Sequence, residues 1–137
     1  MVRQINDELA IAGLVTVKQL QQLPEAGFKS VLNLRSLDTY RLRDEQRYVE
    51  SLGLCYAHLP IDHEVMSAEL VLRVIQQLNE LAKPTLVYCS NEMLAAAMVL
   101  MYIAMRQGET FPQAFKRAEK IGLFRISVQP VPTSSAR

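Results

Sequence analysis

The feature that most constrains this chain of 137 residues is an unbroken apolar run from Met93 to Met105. As a helix rising about 1.5 Å per residue, it reaches about 20 Å, short of the roughly 30 Å hydrocarbon core of a bilayer. It is also apolar nearly all round. Such a helix has to be covered on every side, so it belongs at the centre of a domain, between a sheet and other helices. Just before it stand Thr85-Leu86-Val87-Tyr88, which read as a strand, and then Cys89-Ser90-Asn91. The order strand, cysteine, helix places a thiol beside a helix N-terminus. The unpaired N–H groups and partial positive charge there lower a thiol pKa and attract anions.

The rest of the chain supplies the cover. Leu9 to Ala12 is a strand ended by Gly13. Thr16 caps a helix through Leu20, Leu23 and Ala26, stopped by Gly27, and Pro24 inside this pattern is where the helix could end early or bend. Ser30 to Leu34 is a strand ending at Arg35, followed by the polar stretch Ser36 to Arg43. Asp44 to Leu52 reads as a helix with Tyr48, Val49 and Leu52 inward, and Leu54 to Ile61 as the next strand. A loop at Asp62-His63-Glu64-Val65-Met66 leads to Ser67, which caps a helix over 68–82 with apolar residues at helical spacing. After Gly108, Thr110 caps a last helix, 111–121. Strands alternating with helices predict an α/β domain: a mainly parallel central sheet of about four strands with helices on both faces. The expected boundaries are one domain over 1–128 and a flexible tail over 129–137, where proline and serine collect.

Charge and composition exclude several functions. With 15 basic and 14 acidic side chains, the net charge is +1, which makes no electrostatic case for nucleic acid or an anionic membrane. The first residues hold no apolar signal-peptide core. Two cysteines make no disulfide framework, so both are expected to be reduced thiols in a cytoplasmic protein. Cys55, inside a strand, reads as core. His58 and His63 read as structural, and with no ligand-spaced partners the sequence implies neither a metal nor a cofactor.

In a parallel sheet every strand ends at the same edge, and sites form there. Gly13, Arg35, Asp62 with His63, and Cys89 all fall at strand ends. A guanidinium, an acid, an imidazole and a thiol therefore share one crevice.

On these residues the chain resembles the cysteine-dependent phosphatases, and in particular the small bacterial dual-specificity-phosphatase-like proteins of the DUF442 group, also labelled sulfurtransferases. The resemblance runs over most of residues 2–123. It rests on Ile11-Ala12-Gly13 with Thr16, Gly27-Phe28-Lys29-Ser30-Val31-Leu32-Asn33-Leu34-Arg35, Leu52-Gly53-Leu54, His58-Leu59-Pro60-Ile61 and Pro84-Thr85-Leu86-Val87-Tyr88-Cys89. It implies a tyrosine/dual-specificity phosphatase fold and a phospho-cysteine mechanism. In that mechanism Cys89 is the nucleophile, Asp62 the acid that protonates the leaving group, and Ser90, Asn91, Glu92, Met93, Leu94 and Ala95 the anion-binding loop. The family pattern is Cys, five residues, Arg, then Ser or Thr, with a glycine three after the Cys.

Here the arginine position is Ala95, the hydroxyl position is Ala96 and the glycine position is Glu92. The loop has lost one positive charge and gained one negative. A guanidinium binds phosphoryl oxygens bidentately, and removing one such contact typically costs on the order of 10²–10³ in rate. Glu92 is also expected to raise the Cys89 pKa. Arg35 is the best-placed substitute cation, with Arg41 and Arg43 in the stretch after it, although Arg35 could instead pair with Asp38 or Asp44. The expected function is thus a phosphatase-like protein impaired by Ala95, whose partner is a phosphorylated substrate or another protein. The alternatives are an active phosphoric monoester hydrolase using another arginine, and a Cys89-dependent sulfurtransferase.

Overall fold

The computed structural model describes residues 2–36, 39–61 and 67–120. In chain order they form β1 (Val2–Gln4), β2 (Leu9–Ala12), α1 (Val17–Gln22), β3 (Ser30–Asn33), α2 (Thr39–Ser51), β4 (Cys55–His58), α3 (Ala68–Glu80), β5 (Thr85–Tyr88), α4 (Glu92–Arg106) and α5 (Phe111–Lys120). The expected α/β architecture is present. The strands lie in the order β1-β2-β5-β3-β4, with all neighbours parallel except β1, which runs antiparallel to β2.

Strand β5 is flanked by β2 and β3, which pair with it along its whole length. Chain reaching the sheet from three different crossovers therefore ends around one point, the C-terminal end of β5. The sheet separates two apolar layers, as a period of two requires. Leu9, Ile11, Leu32 and Val87 face α3, α4 and α5, meeting Val74, Leu78, Met98 and Tyr102. Ala10, Ala12, Val31, Leu86 and Tyr88 face α1 and α2, meeting Leu20, Leu23 and Val49. Helix α4 is packed on most of its circumference, as its composition demands.

Local chemistry sets the helix starts. Thr16 and Gln19 form a reciprocal capping box at α1. The Ser67 hydroxyl accepts from the Leu70 amide at α3, and Thr110 pairs with Gln113 at α5. These bonds satisfy amides that have no partner inside the helix.

Three expectations need correction. The sheet has five strands rather than about four, because Val2-Arg3-Gln4 pairs with the outer edge of β2 through its backbone. One apolar residue among polar ones carries no strand pattern. Helix α2 begins at Thr39, within the stretch read as irregular, and its first turns carry Tyr40, Arg41 and Arg43, with Tyr40 exposed. Cys55 is exposed rather than core. It opens β4, the edge strand, where only one side of the ladder is paired. The residues expected as the loop 62–66 and the tail 129–137 lie outside the described residues. Among those described, no helix is long and apolar enough to cross a membrane.

Candidate functional site

The crevice is built at the end of β5. The Cys89 amide donates to the Ala12 carbonyl at 3.2 Å, and the Leu34 amide donates to the Tyr88 carbonyl at 2.8 Å, which tie the ends of β2, β5 and β3 together. A methyl added at Gly13 would meet the Glu92 Cβ at 3.7 Å and the Cys89 carbonyl oxygen at 3.9 Å, so β2 turns away directly against the cysteine loop.

Cys89 is only 2% exposed and lies in the apolar layer of α3 to α5. Burial pushes its thiol above the ordinary value. The backbone amides of Asn91 and Ser90 and the Arg35 guanidinium pull it back, but less strongly. The upward push comes from desolvation, not from Glu92 as the sequence suggested. Glu92 is drawn to Arg3 of β1, Nε to Oε2 at 2.6 Å, although that buried oxygen makes no directed hydrogen bond.

The helix N-terminus is also largely committed. Asn91 caps α4, its side chain accepting from the Met93 amide at 3.0 Å. The Leu94 and Ala95 amides reach the Asn91 carbonyl at 3.0 and 3.4 Å. Three amides that would otherwise face an anion are thus bonded within the chain. Leu94 and Ala95 are buried in the core, and Met93 is exposed. At the position of the family's arginine there is a methyl with no solvent access.

Arg35 does reach this edge. Asn33 accepts from the Arg35 amide at 2.9 Å and from its Nε at 3.3 Å, folding the side chain back over the strand end. His58 Nε2 donates to the Arg35 carbonyl at 2.6 Å, the structural role expected of it. The guanidinium lies 5.0 Å from the centre of the Tyr88 ring. Among the described residues its ion partner is Glu45 rather than Asp44, at 2.7 Å, with both side chains 16% exposed, and Asp38 lies outside the described residues.

Glu45 is the site residue that sequence reasoning missed. It also accepts from Asn33 Nδ2 at 2.9 Å, from Tyr56 hydroxyl at 2.5 Å and from Tyr88 hydroxyl. Burial, reinforced by Glu45, raises both phenols well above their ordinary range and keeps them as donors. Glu45 lies one helical turn before Val49, so the inward face of α2 was the available signal.

The structure therefore brings together Cys89, Ser90, Asn91, Glu92 and Arg35. Asp62 and His63, the expected acid and its neighbour, lie outside the described residues. Among those described, no group of three or more His, Cys, Asp or Glu side chains could hold a metal.

No protein-family model matches the sequence, and no curated protein matches it. Solved structures do. A DUF442 protein from Shewanella putrefaciens CN-32, named as a candidate phosphatase, superposes with a TM-score of 0.69 at 23% identity, covering 90% of this chain and 81% of that one. Tk-PTP in its active form gives 0.66 at 18% identity, over 93% and 88%. TpbA of P. aeruginosa, in complex with pTyr, gives 0.63 at 17% identity, over 89% and 74%. The fold is that of the cysteine-dependent phosphatases, as the resemblance implied.

Proposed function

We propose that this chain is a phosphatase-fold protein with little or no phosphoryl-transfer activity, which binds a phosphorylated group or a protein partner at the Cys89 edge. The observation that supports this most is the state of the nucleophile position. The thiol is buried, burial pushes it above its ordinary value and so away from the thiolate, and the guanidinium that acts on it is already paired with Glu45. A nucleophilic cysteine needs the thiolate, and phosphoryl transfer needs a charge clamp. The reading also keeps the protein in the cytoplasm, in line with its two free thiols.

The test is phosphate release from p-nitrophenyl phosphate. Wild type is expected to show none above background. Wild-type release that is abolished by Cys89→Ser would overturn the proposal.

One observation favours a second reading, an active monoester hydrolase. Arg35 does lower the Cys89 pKa, so it lies close enough to act on the same anion. That reading predicts release lost in Arg35→Met as well as in Cys89→Ser.

A further inference from the structure

Helix α4 is left open on one side. The sheet, α3 and α5 bury its other faces, but Met93 is 52% and Leu100 44% exposed. With the half-buried Ala96 and Ile103 they form one stripe at helical spacing. An apolar side on a helix calls for cover.

Helix α5 leads the chain to that stripe. It follows α4 after a short turn at Gly108, where the Glu109 amide donates to the Ala104 carbonyl at 3.1 Å. Helices in contact across so short a turn run antiparallel. They share a cavity of about 280 Å³, lined from Leu100 to Gln107 on α4 and from Ala114 to Ala118 on α5. The last turn of α5 therefore stands beside Leu100, toward the N-terminal half of α4.

Beyond Lys120 the sequence continues Ile121-Gly122-Leu123-Phe124-Arg125-Ile126-Ser127-Val128. Ile121, Leu123, Phe124, Ile126 and Val128 are large and apolar, whereas the sequence from Gln129 to Arg137 is mostly polar or proline. Ile121 comes three residues after Ala118, which is buried against α4, so helical spacing points it the same way. Length suffices as well. Met93 lies two turns before Leu100, about 10 Å along the helix, and residues 121–128 span about 26 Å when extended. Being tethered at Lys120, this segment meets the stripe at an effective concentration that a separate partner does not match.

We infer that residues 121–128 of this chain lie along α4 on Leu100, Ala96 and Met93, covering its open side as far as the turn that follows the Cys89 loop. The inference rests on none of the chemistry of Cys89.

The test is paramagnetic broadening in the full chain. A nitroxide is attached at Ser127→Cys, with Cys55→Ser and Cys89→Ser removing the other thiols. The methyl signals of Met93 and Leu100 are expected to broaden strongly, and those of Leu52, on the other face of the sheet, to stay sharp. The double variant Leu123→Ser, Phe124→Ser takes two large apolar groups from the segment and leaves every described residue unchanged. It should lower the ratio of docked to undocked segment at least about tenfold. No broadening at Met93 and Leu100, or broadening unchanged in the double variant, would overturn the inference. Equal broadening in isotope-labelled chain without the nitroxide, mixed with unlabelled chain that carries it, would place the segment on a second copy and overturn it too.

Discussion

Replacing Glu45 by glutamine tests the buried network on which the site rests. Glutamine keeps the volume of the side chain but removes its charge and turns one acceptor oxygen into a donor. The carboxylate accepts from Asn33, Tyr56, Tyr88 and Arg35, and no amide orientation can serve all four. At least one donor loses its partner, and Arg35, only 16% exposed, loses its counter-charge. Breaking a fully buried pair costs about 3–5 kcal/mol. Partial exposure of both groups lowers that, so the expected loss is about 3 kcal/mol, which for a domain of this size is about 10 °C in melting temperature. Urea unfolding of wild type and Glu45→Gln at pH 7 measures it. A difference under about 0.5 kcal/mol would refute the claim that Glu45 organises the end of β5.

Two further predictions concern charge and burial. Tyr56, Tyr88 and Cys89 all have folded pKa values raised above their unfolded ones. Their stabilising contribution is therefore fully present below the unfolded values, about 8.5 for the thiol and about 10 for the phenols. It is lost as pH rises beyond them. Unfolding free energy measured across pH 7 to 11 should fall on the alkaline side, and a flat profile there would contradict the assigned burial. Ala95→Arg alone should destabilise by about 3 kcal/mol or more, because it forces a guanidinium into a fully buried methyl site. A melting temperature equal to wild type would mean that position 95 opens toward the loop rather than the core.

The fold was legible where apolar spacing controls it. The run Met93 to Met105 demanded cover and received it on most sides from the sheet, α3 and α5, with Met93 and Leu100 left exposed. The strand ends put Arg35 and Cys89 at one edge, and the structure does the same. What was not legible depends on backbone pairing or on contacts distant in sequence. Strand β1 is held by ladder bonds to β2, which leave no trace in side-chain pattern. The start of α2 is polar, so its helical period was invisible. Cys55 looked like core because its strand is apolar overall, but the strand lies at the sheet edge. Glu45 meets Tyr88 only because α2 packs over β3, β4 and β5, a juxtaposition that no local spacing encodes.

The central claim is that the thiol at the end of β5 is not a working thiolate. The most direct measurement is the pH dependence of Cys89 alkylation by iodoacetamide in a Cys55→Ser background, which removes the exposed competing thiol. The account predicts slow reaction at neutral pH and a titration midpoint above that of a free cysteine, about 8.5. A midpoint below about 7 would show that the loop stabilises a thiolate after all, and would contradict the account.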